Sequence, residues 1–121
     1  MTIKPDYTIR LPWPPSVNGY WRAIGRAQKI SKRGRVFREQ SMFAITEQAL
    51  YGIKLKCRLA ARVTLHAPTR ARRDLDNFLK APLDALSHSK VYLDDSQIDR
   101  LLVIRGDVVH GGLIIIDLWR L

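Results

Sequence analysis

Acidic residues are scarce in this chain of 121 residues, 11 against 21 lysines and arginines, yet aspartates crowd into two short stretches. Arg72-Arg73-Asp74-Leu75-Asp76-Asn77 sets two carboxylates two positions apart, and Leu93-Asp94-Asp95 supplies two more. In extended backbone, side chains at i and i+2 project to the same side, and carboxylates held there repel unless they share a proton or a cation. Oxygen-only ligands suit Mg²⁺, which takes one or two carboxylates directly and leaves its other positions to water and substrate phosphate. A further carboxylate from Asp94 or Asp95 would complete a site for metal-assisted phosphodiester hydrolysis. Purely structural duties compete with this reading: Asp74 as a turn residue, Asp76 as a helix N-cap, Asp94-Asp95 as a turn after a strand. A calcium EF-hand fits poorly, because Phe78 stands where a third ligand belongs and Leu79 where the sharp-turn glycine belongs.

The charge distribution points to the substrate side of such chemistry. The formal net charge is +10, and residues 1 to 58 carry 12 basic against 3 acidic residues whereas the remainder carries 9 against 8. Arg22, Arg26, Lys29, Lys32, Arg33, Arg35 and Arg38 follow one another without an intervening acid, a concentration that nucleic-acid phosphates would neutralise. Cys57 is the single cysteine, which excludes an intrachain disulfide and a cysteine-based zinc site and fits a reducing compartment. It falls on the apolar side of a strand pattern, as a packed thiol rather than a nucleophile. No apolar run reaches membrane-spanning length and the N-terminus lacks a signal-peptide core, so a soluble, cytoplasmic protein is expected.

These candidates must be carried by elements that the patterning outlines. Tyr7, Ile9 and Leu11 alternate with polar residues as a first strand, stopped by Pro12, Pro14 and Pro15. From Asn18 to Gly34 neither period holds, which reads as a long basic loop. Val36 to Tyr51 has helical spacing and no Gly or Pro, with Gly52 as a C-terminal stop. Residues 57 to 67 alternate with a period of two, the clearest strand in the chain. Asp76 to Leu86 reads as a second helix, in which Pro82 implies a kink or a later start. Val91 to Leu93 reads as a short strand, Leu101 to Ile104 as a buried strand, and Gly111-Gly112 as the turn of a hairpin between Val108-Val109 and Leu113 to Leu118. The pattern is α+β: a single domain over residues 1 to 121 with a small mixed β-sheet and two helices packed on it.

Taken together, Leu11-Pro12-Trp13-Pro14-Pro15-Ser16-Val17-Asn18, Arg72-Arg73-Asp74-Leu75-Asp76-Asn77-Phe78-Leu79-Lys80, Leu83-Asp84-Ala85-Leu86 and Leu93-Asp94-Asp95-Ser96-Gln97 resemble the RusA family of Holliday junction resolvases, from about Tyr7 to Asp117. The resemblance implies a homodimer that binds branched DNA, a four-way junction, and nicks two symmetry-related strands with Mg²⁺, in DNA recombination and repair. It implies metal-binding aspartates at Asp74, Asp76 and Asp95, a catalytic lysine at Lys80 and a DNA-binding arginine at Arg73. On the expected helix Lys80 lies one turn after Asp76, so both would face one phosphate. Arg26, Lys29, Lys32, Arg33 and Arg35 are assigned to junction binding as a stretch. Two other functions suit the same features: a metal nuclease for other branched or single-stranded DNA, and a non-catalytic basic DNA-binding protein whose carboxylates only cap and turn.

Overall fold

The structure, a computed structural model, describes residues 3 to 24 and 27 to 121. In chain order these form β1 (Tyr7–Leu11), α1 (Val17–Tyr20), β2 (Trp21–Ile24), β3 (Ala27–Ile30), α2 (Lys32–Glu47) and β4 (Leu59–His66). A 3₁₀ turn (Leu75–Phe78), α3 (Lys80–His88), a second 3₁₀ turn (Asp95–Gln97), β5 (Ile98–Arg105) and β6 (Leu113–Arg120) follow. Four strands make one mixed sheet in the order β1-β6-β4-β5, while β2 and β3 pair by themselves. Within the sheet β4 runs antiparallel to β6 and parallel to β5, and β1 is antiparallel to β6.

The alternation in β4 explains its central place. Leu59, Ala61, Val63 and Leu65 point to one face and are at most 4% exposed, where Ile45 of α2 and Leu83 and Leu86 of α3 pack against them with Ile114, Ile116 and Leu118 of β6. Each such fully buried aliphatic side chain contributes roughly 1.5–3 kcal/mol relative to leaving it in water. On the opposite face Asp117 of β6 accepts from Thr8 Oγ1 at 2.7 Å and from Arg62 Nη2 at 2.9 Å, tying three strands together across the sheet. The α+β expectation therefore holds, with α2 and α3 on one sheet, and the one-turn helix α1 and the β2–β3 hairpin are additions to it.

Several local expectations are corrected. The stretch from Asn18 to Gly34 is not a loop: it contains the last residues of α1, the hairpin and the first turn of α2. Its elements are only four residues long, too short to establish a period. Helix α2 begins at Lys32 rather than Val36 because Ser31 caps it, accepting from Gly34 N at 3.0 Å. It ends at Glu47, where Ala49 takes the left-handed conformation before Gly52 is reached. The expected helix from Asp76 to Leu86 is broken into the 3₁₀ turn and α3. Pro82 is the third residue of α3, where its missing N–H would have no intrahelical partner in any case, so the later start is realised and the kink is not. Tyr92 makes only an isolated bridge with Leu55. Strand β5 lies at the sheet edge with Leu101, Leu102 and Ile104 exposed rather than buried. The Gly111-Gly112 turn joins no hairpin, because β6 pairs with β1 and β4 and residues 108 and 109 lie outside any strand.

Candidate metal and phosphate site

The two aspartate motifs sit on the 3₁₀ turns that flank α3, both of which contact it. Before the first turn, the segment from Thr69 is shaped by Arg73, whose Nη1 donates to the carbonyls of Thr69 and Ala71 at 2.9 and 3.0 Å and whose Nη2 donates to Thr69 Oγ1 at 2.9 Å. Its guanidinium lies over the Trp13 ring at 5.8 Å, and Trp13 meets Phe78 at a centroid distance of 5.0 Å. The Pro-rich segment after β1 is thereby fastened to the aspartate turn. Gly112, at φ +78°, is also needed here, since a Cβ would lie 2.6 Å from Trp13 Cβ. Arg73, expected at the DNA, spends most of its donors on this scaffold, leaving exposed Arg72 as its neighbour.

Asp74 and Asp76 are exposed, and Asp74, at the N-cap position of the 3₁₀ turn, makes no side-chain cap bond. Helix α3 has Leu79 at its own N-cap, so Asp76 caps nothing there. Among the described residues, no ion pair involves Asp74, Asp76 or Asp95. Asp74 instead lines an open depression with Arg72, Arg73, Asn77 and Phe78.

The second motif separates its two acids by duty. Asp94 accepts from Ser96 N at 3.0 Å in a capping box completed by Gln97, whose Oε1 accepts from Leu93 N and Asp94 N at 2.8 and 2.9 Å. Buried Gln97 also donates to the carbonyls of Leu55 and Cys57 at 2.8 and 3.0 Å. The hydrogen bonds from Ser96, with Lys80 nearby, hold the Asp94 carboxyl below the usual carboxylate range. Asp95 has no cap to make and lies close enough to Tyr92 to reinforce the upward push that burial gives that phenol. Cys57 is half-buried and packs against the core, the setting expected of a structural thiol.

Lys80 opens α3, so it shares no helix with Asp76, and the two residues expected one turn apart on a helix lie on either side of the break at Leu79. Its Nζ pairs with Asp84 Oδ1 at 3.2 Å and stands 5.7 Å from the centre of the Trp21 ring. The sequence reading gives Tyr20 no role, Asp84 none beyond its place in a motif and Arg38 none beyond closing the basic run, although the i, i+4 spacing of Lys80 and Asp84 is a signal for their pairing.

The basic stretch is divided over two elements. Arg22 and Lys29 face each other across the β2–β3 hairpin, and Lys32, Arg33 and Arg35 occupy the first turn of α2, all of them exposed. Arg26 lies outside the described residues. Lys32 and Arg33 also border a depression with Trp13, Pro15 and Phe37, so aromatic and cationic groups share one surface next to a helix N-terminus, which suits phosphate.

A hard divalent cation fits the donor chemistry of Asp74, Asp76 and Asp95, which are oxygen-only and uncommitted. Among the described residues, no three His, Cys, Asp or Glu side chains lie close enough to hold a metal ion by themselves. Mg²⁺ does not need three, since it keeps several waters and takes phosphate oxygens as ligands. No described helix is long and apolar enough to cross a membrane.

Comparison with known proteins gives a consistent result. The chain is 43% identical over 107 residues to the crossover junction endodeoxyribonuclease rusA of Enterobacteria phage HK97, covering 88% of each chain. It is 40% identical over 106 residues to the RusA protein of the same description from Shigella sonnei (strain Ss046), and 39% identical over 106 residues to that of Escherichia coli (strain K12), again over 88% of each chain. The family model described as endodeoxyribonuclease RusA matches residues 12–115, and the chain belongs to that family.

Proposed function

We propose that the chain is a crossover junction endodeoxyribonuclease, a phosphodiester hydrolase that resolves four-way DNA junctions by paired nicks in recombination and repair. The observation that carries this reading is the contrast among the aspartates. Asp94 is spent on a capping box, while Asp74 and Asp76 stand exposed and without a capping duty at the 3₁₀ turn that precedes Lys80 and α3. Relatives alike over 88% of their length bear the name of that activity.

In this reading Asp74, Asp76 and Asp95 would hold Mg²⁺ together with water and phosphate oxygens, since no three described side chains close a metal site by themselves. When bound, the cation supplies Lewis acidity toward a phosphate oxygen and lowers the pKa of a coordinated water. Lys80 neutralises charge developing on the scissile phosphate, with a flexible stem whose head is fixed by its neighbours. Lys29, Lys32, Arg33 and Arg35 grip backbone phosphates away from the cut. Arg73 keeps the aspartate turn and the Trp13 segment in register, so its effect on DNA binding is exerted largely through that scaffold. The active unit is a homodimer, because two symmetry-related nicks on a two-fold substrate are matched by a C₂ assembly.

The test is incubation of the purified protein with labelled four-way junction, flap, single strand and linear duplex, with and without Mg²⁺. Symmetric nicks in the junction that require the metal, with the linear duplex spared, are expected. Salt-sensitive binding without cleavage at any Mg²⁺ concentration would reduce the protein to a DNA-binding module, and equal cutting of flaps or single strands would make it a general nuclease.

A further inference from the structure

Lys80 ends a hydrogen-bonded ladder that runs through three helices. Arg38 of α2 donates from Nη2 to Tyr20 Oη at 3.0 Å, and Tyr20 of α1 donates its one hydroxyl proton to Asp84 Oδ2 at 3.1 Å. The other oxygen of Asp84, Oδ1, takes the Lys80 ammonium at 3.2 Å. Tyr20 is 1% exposed and burial pushes its phenol up, so it remains a donor. An isolated surface Lys–Asp pair on one helix is weak and mobile. This one differs because the carboxylate is oriented by a buried phenol, which in turn is held by a guanidinium. Such chains polarise and order one another. The ladder emerges at the surface: the side chain of Asp84 is 21% exposed and that of Lys80 40%. Of the three N–H groups of the lysine, one is taken by Asp84 and the face of Trp21 closes another side at 5.7 Å, leaving a donor for an incoming anion.

We infer that Asp84 is a positioning residue for Lys80, and that Tyr20 and Arg38 act through it to aim the ammonium at the scissile phosphate. The inference rests on the reading that Lys80 serves cleavage. The carboxylate touches neither phosphate nor metal; it converts a freely rotating side chain into one with a fixed direction. Three segments distant in sequence meet at this point, so the ladder also makes the packing of α1 and α2 on α3 a condition for cleavage.

The experiment measures single-turnover cleavage at saturating Mg²⁺ and junction, with junction affinity measured separately, for Asp84→Asn, Tyr20→Phe, Lys80→Ala and the double variant Asp84→Asn/Lys80→Ala. Asp84→Asn should cut roughly ten- to a hundredfold more slowly, the scale of a misplaced catalytic group, with affinity unchanged. Tyr20→Phe, which keeps the ring packing, should slow cleavage in the same direction by a smaller factor. In the Lys80→Ala background Asp84→Asn should change the rate by less than about twofold, because the two act as a unit. Wild-type cleavage by Asp84→Asn while Lys80→Ala is slow would overturn the ladder alone. Wild-type cleavage by Lys80→Ala would instead remove the reading of Lys80. An equal loss from Asp84→Asn in both backgrounds would show that the carboxylate acts elsewhere, and would overturn the inference. If Asp84→Asn fails to fold by circular dichroism, Tyr20→Phe in both backgrounds decides the matter by the same criteria.

Discussion

Asp94 and Asp95 are neighbours of one residue type with opposite commitments, and this makes them a matched pair for testing the site. The Asp94 carboxylate is engaged by Ser96 N at 3.0 Å, whereas Asp95 caps nothing. Asp74→Asn, Asp76→Asn and Asp95→Asn are each expected to abolish junction cleavage while leaving junction binding intact or tighter. A near-isosteric amide removes a hard anionic ligand, and it also removes a negative charge that repels phosphate. Asp94→Asn should keep cutting, because asparagine caps about as well as aspartate, and Asp94→Ala should melt at lower temperature while still cutting. Denaturing gels of labelled junction, run beside gel-shift titrations, check this. Cleavage lost in Asp94→Asn and kept in Asp95→Asn would move the third ligand to Asp94.

The basic surface proposed to bind DNA is carried by the β2–β3 pair and the first turn of α2. Replacing Lys29, Lys32, Arg33 and Arg35 with neutral residues should weaken junction binding and flatten its dependence on salt, each lost phosphate contact lowering the logarithmic slope by about 0.9. Thermal stability should hardly change, since all four side chains are exposed. An unchanged salt slope would assign binding to other elements. Gly34 has a different duty: a Cβ there would lie 2.7 Å from Ile30 Cγ1 and 2.8 Å from the Tyr20 carbonyl oxygen. That carbonyl accepts from Ser31 N at 2.8 Å, so the first turn of α2 is pressed against the end of α1. Gly34→Ala should cost about 1–3 kcal/mol by overpacking, and by displacing Tyr20 it should slow cleavage as well. Denaturant melts with unchanged stability would show that the contact yields cheaply.

For the molecule as a whole, the sheet ends at β5 on an apolar edge. Strand β5 is an edge whose Leu101, Leu102 and Ile104 are 46%, 53% and 38% exposed, an arrangement that soluble proteins ordinarily blunt or pair. The proposed homodimer has an isologous interface to build, and this flank is an apolar surface suited to it. Light scattering at micromolar concentration should therefore give twice the chain mass. Leu102→Lys should shift the protein toward monomer without unfolding it. A wild-type monomer, with and without junction, would count against the dimer; a Leu102→Lys dimer would place the interface on another face.

Local chemistry is what the sequence determined by itself. The alternation around Val63, the spacing of α2 and α3, the basic run and the aspartate motifs are each written in a few consecutive residues, because side-chain direction repeats every two residues in a strand and every 3.6 in a helix. The α+β class follows from the order of such segments. Short elements were lost where one turn or four residues cannot show a period, as at α1 and the hairpin, and Leu101 to Ile104 looked buried because an apolar edge strand and a central one read alike. Only the tertiary structure decided that β5 stayed an open edge, that β6 crosses to lie between β1 and β4, and that Asp94 caps while Asp95 does not. It alone joined Arg38, Tyr20, Asp84 and Lys80, since hydrogen bonds spanning 18 and 64 residues depend on how helices pack and leave no trace in the spacing of neighbours along the chain.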